Sequence, residues 1–323
     1  MLRTGSDGSA AGGGKSDLSE WQRSVSDAAA LTARRAPGTA TDPGGRSLQG
    51  CTIDWDLKEK IMAVINKKIG KLEYLTADMI GATHCFTTRY GGVSKGHLGA
   101  MNIGTHRGDL WENVLENYEI LGKALDFDPK NVVLTHQTHT DIVVAVDDRH
   151  RGAGLFAPEL SDCDGLITNT PGLALVVFSA DCTPILFHDP VTGAVGAVHA
   201  GWRGTAAGIA QKAVQAMVSH YGCKPENIRA AIGPNIKQCC FETDWDVPKA
   251  MVDALGDAAG PYIAKKGEKY FLDLTAINAV FLRRAGVTQI EAAPECTHCN
   301  PDKYWSARIT GGHRGSQGAL IVR

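Results

Sequence analysis

The sequence lacks a long uncharged apolar run, and it lacks a strong excess of one charge. Its 33 Lys and Arg residues nearly balance 35 Asp and Glu residues, whereas a nucleic-acid-binding protein usually carries a basic face. No stretch offers the roughly 18 uncharged apolar residues that a membrane span needs. The most apolar run, residues 172–187, is interrupted by Asp181 and Pro184 and is predicted to be buried core. We therefore expect neither a nucleic-acid nor a membrane partner.

Secretory features are also missing. The first residues contain no continuous apolar segment of the kind that a signal peptide has. The nine cysteines are an odd number, and in a reducing compartment such cysteines are more often buried, metal-binding or catalytic than paired in disulfides. We therefore expect a cytoplasmic protein.

Residues 1–60 differ in composition from the remainder. They are rich in Gly, Ser, Ala, Arg and Thr and contain too few large apolar side chains to offset the entropy cost of ordering. This region is predicted to be a disordered tail outside the domain, with at most a transient helix over residues 18–31. It is alternatively an artefact of the chosen start, because Met62 would serve as a native start.

From residue 61 onward, short β-rich runs alternate with amphipathic segments. Strands are predicted within residues 84–92, 131–148, 172–189, 193–202 and 228–234. Helices are predicted at Leu110–Leu125, Gly208–Tyr221, Val247–Leu255 and Leu274–Ala285, the last followed by Gly286 in a position that favours glycine. Because the strands and helices show no regular βαβ period, the pattern predicts a mixed α/β or α+β domain.

The segment HAGWRGTAAGIA contains a candidate anion-binding turn. A β-like run ends at His199, and a helix is predicted to open near Thr205, so backbone N–H groups at its start would attract an anion such as phosphate. Arg203 lies within the turn and would add a bidentate grip. The segment matches neither GxGxxG nor a P-loop, and a tight turn with an exposed arginine explains it equally well.

Cys182 and two histidines are candidate site residues. A lone cysteine in an apolar run is more often an inert hydrophobic residue, but the adjacent Asp181 would need a partner if buried, which marks a polar site. His136 and His139 are three residues apart and would face opposite sides of a strand. At most one of them joins a site there; each alone is more often a satisfied surface residue, and the pattern does not decide between them.

The remaining cysteines are weaker indicators. Cys239 and Cys240 follow the dipeptide Gly233-Pro234, and Cys296–Cys299 forms a single CxxC motif. A structural zinc site would need a second such pair. We therefore assign the CxxC motif a role in packing or in shaping a pocket.

Taken in order, these segments resemble the YfiH-type multicopper polyphenol oxidase (laccase) domain family. The resemblance is strongest in ADCTPILFHDP and VHAGWRGTAAGI, and it runs from Met62 to the C-terminus. Further matching segments are FTTRYGGVSKGHLGAMNIGTHRGD, QTH, DCDGLIT, AAIGPNIKQCCFE, FLDLTAINAVFLRRAGV and CTHCNPDKYWSARITGGHRG. Members of this family are understood as purine nucleoside phosphorylases that also deaminate adenosine. The resemblance implies one catalytic α/β domain over residues 61–323, with mixed β-sheets layered between helices.

The resemblance also implies a metal site. The family's ligands fall on His139, Cys182 and His199, which selects His139 over His136. Two imidazoles, one thiolate and an open position are typical of catalytic zinc, although copper also suits these ligands. For deamination, zinc would activate a water for attack on C6 of adenosine.

The expected substrates are a purine nucleoside (adenosine, inosine or methylthioadenosine) and phosphate. Arg203 is the candidate that would place phosphate beside the ribose, and it joins the three metal ligands as a catalytic candidate. By resemblance, Arg89 and Asn102 are expected in the substrate pocket. Asp164 is grouped with them, or orients a metal ligand as a supporting carboxylate often does.

Two positions depart from the family pattern. Thr138 stands where a hydrophobic residue is usual, which is a mild change. Residues 310–314 read TGGHR in place of the usual TGR, so the arginine of that loop is expected to be displaced.

Two other activities stay open at this point. A copper polyphenol oxidase is suggested by the family's older name, but ordinary laccases carry paired HxH motifs and this chain has none. A cysteine hydrolase would use Cys182 as a nucleophile activated by His199.

Overall fold

The computed structural model describes residues 64–323. The tail predicted for residues 1–60, the transient helix at 18–31 and the start at Met62 lie outside the described residues. Within residues 64–323, no helix is long and apolar enough to cross a membrane.

Two six-stranded sheets dominate the described part. Its strands, in chain order, are β1 (Ile65–Ile69), β2 (Leu72–Thr76), β3 (His84–Thr87), β4 (Val132–Leu134), β5 (Val143–Ala145), β6 (Gly165–Thr168), β7 (Ala174–Ser179), β8 (Thr183–His188), β9 (Val195–Ala200), β10 (Arg229–Ile232), β11 (Glu242–Thr243), β12 (Ile263–Lys266), β13 (Lys269–Leu272), β14 (Gln289–Ala292) and β15 (Gln317–Val322). The first sheet has the order β1-β2-β3-β15-β7-β4, and the second has the order β14-β10-β8-β9-β6-β5. Strands β11, β13 and β12 form a small third sheet.

The α-helices follow the predicted positions closely. They are α1 (Trp111–Leu125), α2 (Trp202–Ala206), α3 (Ile209–Tyr221), α4 (Asp246–Leu255), α5 (Leu274–Arg284) and α6 (Ala307–Thr310). The four predicted helices are confirmed as α1, α3, α4 and α5, with their ends shifted by one residue at most. The helix predicted to open near Thr205 is wrong in position. Gly201 precedes a five-residue helix α2, and Gly208, with φ of 75°, separates it from α3.

The two large sheets pack face to face. Their shared core contains Phe86, Leu175 and Val177 from the first sheet and Leu166 and Leu186 from the second. A second core lies between the first sheet and α1, where Tyr118 and Leu121 pack with Val176 and Leu320. Because β7 is covered on both faces, its apolar residues form a continuous run rather than an alternating one.

On the outer face of the second sheet, α3 contacts β5, β6 and β9, and α5 packs against α3. The layers therefore run helix, sheet, sheet, helix. This confirms the predicted mixed sheets layered between helices.

Candidate metal centre

Three neighbouring strands of the second sheet, β6, β9 and β8, bring polar side chains to the same end of the sheet. Strand β9 pairs antiparallel with both β8 and β6, so that Pro184 lies opposite His199 and Gly165 lies opposite Val198. Asp164 directly precedes β6, and Cys182 directly precedes β8. The ends of these strands therefore place Asp164, Cys182 and His199 side by side.

His139 reaches the same place from the loop between β4 and β5. Its backbone is left-handed, with φ of 63°, which re-aims the side chain after the strand has ended. His136, the alternative, instead places Nδ1 3.0 Å from Oδ1 of Asp162 at the surface. Of the two histidines that the sequence left open, the structure brings His139 to Cys182.

The three side chains converge closely enough to share one metal ion. One ligand atom from each of His139, Cys182 and His199 lies within 4.8 Å of the others. Cys182 Sγ is 3.9 Å from His139 Nε2, and the two imidazole rings are nearly perpendicular, with centroids 5.0 Å apart. Tetrahedral zinc holds sulfur and nitrogen ligands about 3.6 Å apart, as follows from bond lengths of about 2.3 and 2.1 Å. The donor set therefore fits zinc, and His139 is exposed, which leaves an open side.

Asp164 orients two of these ligands, His199 and His139, through hydrogen bonds. Its carboxylate accepts hydrogen bonds from His199 Nδ1 at 2.7 Å and from the His139 main-chain N–H at 3.2 Å. It also accepts bonds from the main chain and hydroxyl of Thr140 at 2.7 and 2.8 Å. Since Nδ1 of His199 is engaged, Nε2 is left for a metal. Asp164 is 0% exposed, which favours the orienting role over direct contact with a substrate.

Cys182 and His199 perturb each other. Burial would raise the pKa of the Cys182 thiol, but the positive charge of His199 and hydrogen bonds from both histidines outweigh burial and lower this pKa to about 6. Burial would lower the pKa of His199, but the Cys182 thiolate and the Asp164 hydrogen bond raise it to about 9. Without a metal, the two side chains therefore form a thiolate–imidazolium pair.

Asp181 organises the turn that carries Cys182. Its φ is 84°, and its carboxylate accepts hydrogen bonds from Thr297 Oγ1 at 2.6 Å, from Ser306 Oγ at 2.9 Å and from the Arg308 main chain at 2.7 Å. The sequence prediction that this charge would be partnered is confirmed. The residue lies in a turn between β7 and β8 rather than in a strand.

Gly201 explains the glycine of the HAGW segment. A Cβ atom at this position would lie 2.7 Å from Cδ2 of His139 and 3.4 Å from Sγ of Cys182. Its φ of −66° is open to any residue, so the requirement is space for the ligands and not backbone freedom.

Arg203 and Arg89 are both accessible. Arg203 is exposed in α2, and its guanidinium lies 4.2 Å from the ring centroid of Trp202. Arg89 stacks on Trp305 at 3.8 Å and donates to the carbonyl oxygen of Gly99. It lines a cavity of about 310 Å³ together with Tyr90, Gly99, Ala100 and Asp302.

Asn102 does not line that cavity. It is 0% exposed, and its amide donates to Asp109 Oδ2 at 2.9 Å and accepts from the main chains of Gly104 and Ser316 at 3.1 and 2.9 Å. In this structure the side chain is enclosed by these partners, and the expected substrate contact stays a prediction. Asn102 links two loops.

A protein-family model described as multi-copper polyphenol oxidoreductase laccase matches residues 83–323. The chain belongs to this family. A relative, purine nucleoside phosphorylase YlmD of Geobacillus stearothermophilus, is 37% identical over 248 residues, which cover 75% of this chain and 90% of the relative. Purine nucleoside phosphorylase YlmD of Bacillus subtilis is 34% identical over 242 residues, which cover 73% and 86% of the two chains.

A solved structure has the same fold. The crystal structure of YlmD from Geobacillus stearothermophilus matches with a TM-score of 0.76 at 34% identity, and the match covers 80% of this chain and 99% of that chain. The resemblance seen in the sequence and the fold that it implied are therefore both confirmed.

The laccase-domain name suggests several copper ions, which the described ligands do not match. Among residues 64–323, two groups of three or more potential metal ligands come together. One group is His139, Cys182 and His199, and the other consists of four cysteines. Neither supplies the clustered histidines on which a four-copper laccase depends.

Two further arginines, Arg107 and Arg314, interact near the metal ligands; the sequence pointed to Arg314 only as the arginine of the TGGHR loop and did not single out Arg107. Arg107 Nε donates to Ser316 Oγ at 3.2 Å, and Arg314 donates to the Gly315 carbonyl oxygen at 3.0 Å. Burial lowers the pKa of Arg107. Burial and the charge of Arg107 lower the pKa of Arg314 to about 10, against the opposing effect of the Cys182 and Asp181 charges. Arg314 of the TGGHR loop is thus within electrostatic range of Cys182.

Proposed function

We propose that this protein is a zinc-dependent purine nucleoside phosphorylase that also deaminates adenosine. The observation that carries the proposal is the convergence of His139, Cys182 and His199 with Asp164 behind them. Relatives that are 34–37% identical and bear the name purine nucleoside phosphorylase support the reaction class. The proposed substrates are adenosine, inosine or methylthioadenosine, with phosphate.

The donor set favours zinc over magnesium or calcium, because thiolate and imidazole are poor ligands for those harder cations. Bound there, zinc would act as a Lewis acid toward an oxygen of the substrate or of water. Asp164 keeps His199 in the tautomer that presents Nε2, and the exposed ring of His139 leaves one side of the site open to a small molecule.

In phosphorolysis, a phosphate oxygen forms a bond to C1′ of the ribose while the bond from C1′ to N9 breaks, and the purine takes up a proton. The phosphate must therefore be held by cations near the site. Arg314 fits this role because its Nε is buried without a hydrogen-bond partner among the described residues and because Arg107 bonds the same serine. The exposed Arg203 stays a candidate for contacting the same anion from α2.

In deamination, water would add to C6 of adenosine and ammonia would leave. Support comes from the same ligands, since three protein ligands and an open position are typical of zinc hydrolases. This activity needs no phosphate, so the two reactions can be separated in one assay.

The test is metal analysis combined with product analysis. Protein purified without added metal should contain zinc and convert adenosine to adenine only when phosphate is present, and to inosine without it. His199→Ala should lose both activities. Copper in place of zinc, with oxidation of phenols and no turnover of nucleosides, would establish the oxidase instead.

A cysteine hydrolase is the second candidate, because Cys182, His199 and Asp164 also stand in the order of a nucleophile, a base and its orienting carboxylate. It predicts ester hydrolysis by metal-free protein and an acylated Cys182 in mass spectra. If chelation abolishes all turnover and Cys182 is protected from alkylation by zinc, this candidate is rejected.

A further inference from the structure

Two loops that carry cysteines meet at one edge of the second sheet. Strands β10 and β14 are parallel, with Ile232 opposite Ala292, so the loops that follow the two strands leave the sheet at the same end. The loops stay paired beyond the strands, because Thr297 N–H donates to the Asn235 carbonyl oxygen at 3.2 Å. This pairing brings Cys239 and Cys240 from one loop to the CxxC motif, Cys296–Cys299, on the other.

The four sulfur atoms lie at metal-binding distances. Sγ of Cys299 is 3.4 Å from Sγ of Cys240 and 3.8 Å from Sγ of Cys239, and all four sulfurs lie within 4.8 Å of one another. Zinc with bonds of about 2.3 Å to four sulfurs places them about 3.8 Å apart. A disulfide would require about 2.05 Å between two of them, which is much shorter than the distances from Cys299 to Cys239 and Cys240.

The surroundings suit a bound thiolate cluster. The main-chain N–H of Lys237 donates to Sγ of Cys296 at 3.4 Å, and N–H···S bonds disperse the negative charge of metal thiolates. The Lys237 side chain is 5% exposed, and its Nζ donates to Asn235 Oδ1 at 2.6 Å and to Thr275 Oγ1 at 2.8 Å, which fixes this segment. Cys296 is buried whereas Cys299 is exposed, so an ion can enter from solvent.

Three other described cysteines show what an ordinary buried thiol looks like here. They are Cys85, Cys163 and Cys223, and they belong to neither group of potential metal ligands. Burial raises the pKa of Cys85 to about 12 and that of Cys223 to about 11. These three thiols are buried without joining any cluster of potential ligands, so the gathering of four sulfurs is not a general consequence of cysteine burial.

We propose that Cys239, Cys240, Cys296 and Cys299 bind a structural zinc ion. Four thiolates complete a tetrahedral shell and leave no open position, which is the arrangement of structural rather than catalytic zinc. The CxxC motif, to which the sequence analysis gave a role in packing or in shaping a pocket, is therefore proposed to bind metal instead. The second cysteine pair that a structural zinc site needs is supplied by the consecutive residues Cys239 and Cys240.

The ion would also support the catalytic turn. The Ile236 N–H donates to the Asp181 carbonyl oxygen at 2.9 Å, and Thr297 Oγ1 donates to the Asp181 carboxylate at 2.6 Å. Each cysteine loop therefore holds one side of Asp181, the residue before Cys182. Clamping the loops together would keep the sulfur ligand of the candidate active site in place.

The experiment counts zinc in the full chain and in three variants. The wild type should bind two zinc ions per chain. Cys182→Ala should retain one, and the double variant Cys240→Ser/Cys299→Ser should also retain one. Cys223→Ser is the matched control, because this buried thiol lies outside both groups, and it should retain two.

X-ray absorption of zinc in Cys182→Ala gives a second measurement, which does not depend on the double variant folding. Only sulfur neighbours at about 2.3 Å are expected. Metal-free Cys182→Ala protein, or a disulfide between Cys240 and Cys299 in protein purified under reducing conditions, would overturn the proposal. Because Cys182→Ala removes a ligand of the candidate active site, failure of the proposed function leaves this result unaffected.

Discussion

Asp164 Oδ1 accepts a hydrogen bond of 2.7 Å from Nδ1 of His199, and both side chains are buried. The same carboxylate receives the main-chain N–H of His139, so one acid sets the position of two candidate ligands. Orientation of this kind raises the basicity of the ligand and reduces the entropy that metal binding must remove.

Asp164→Asn is expected to weaken zinc binding by about 10- to 100-fold, because an amide cannot replace a carboxylate that accepts every one of these bonds. Zinc affinity is measured by competition with a chromophoric chelator. Asp162→Asn is the matched control, since that exposed carboxylate lies two residues away and pairs with His136. Equal affinities for the two variants would contradict the orienting role.

Gly201→Ala should displace His139 while leaving the fold intact. The added methyl would lie 2.7 Å from Cδ2 of His139, and the backbone at this position tolerates alanine. We expect loss of zinc from this site with a thermal midpoint for the metal-free protein close to that of the metal-free wild type. Gly312→Ala, where a Cβ meets nothing within 4 Å, is the control and should keep its zinc. A Gly201→Ala variant with the zinc content of the wild type would contradict the steric argument.

Arg314→Ala should raise the KM for phosphate by about tenfold or more, because it removes charge-assisted hydrogen bonds from a partly buried site. Zinc content should not change. Steady-state rates at varied phosphate, with Arg107→Ala and Arg203→Ala measured alongside, show which arginine contacts the anion. An increase in KM confined to Arg203→Ala would show that Arg203, the residue suggested by the sequence, binds the phosphate. An unchanged KM in all three variants would show that phosphate does not bind beside these arginines.

Glu291→Gln should stabilise the protein at alkaline pH. Glu291 is 0% exposed, one carboxylate oxygen has no hydrogen-bond partner among residues 64–323, and burial raises its pKa. The folded chain therefore binds this proton more tightly than the unfolded chain. The resulting stability is present below the unfolded-state pKa and is lost as the pH rises through the folded-state pKa.

Urea unfolding at about pH 5 and about pH 8 measures this effect. The variant should gain on the order of 1 kcal/mol in free energy of unfolding at the higher pH and much less at the lower pH. Glu268→Gln, at an exposed turn, is the control and should show no pH-dependent difference. A gain for Glu291→Gln that is equal at both pH values would mean that ionisation of Glu291 is not its cause.

The helices could be predicted because their determinants are local. Helix α5 shows apolar periodicity and is followed by Gly286 at φ of 92°, and both features are visible in the sequence. The helix was predicted to begin near Thr205 because Gly201 was interpreted as part of a turn. Gly201 instead directly precedes α2, and a glycine is needed there because His139 lies too close for a Cβ atom. Only the assembled site reveals that reason.

The candidate site could be assembled from the sequence only through the family resemblance. Periodicity could not choose between His136 and His139, because β4 ends at Leu134 and the backbone at His139 is left-handed, so neither histidine lies in the strand on which that argument depended. The four-cysteine cluster was missed for a topological reason. Cys240 and Cys299 are 59 positions apart, and the parallel pairing of β10 with β14 that joins their loops leaves no mark in either segment.

The turn at residues 180–182 also connects the two large sheets. Strand β7 belongs to the first sheet and β8 to the second, so the chain crosses from one sheet to the other immediately before Cys182. Cys182 and His199 themselves lie at the same end of the second sheet, at the start of β8 and the end of the neighbouring β9. Substitutions in the shared core, far from any ligand, would therefore change metal affinity only by shifting this crossing relative to the second sheet.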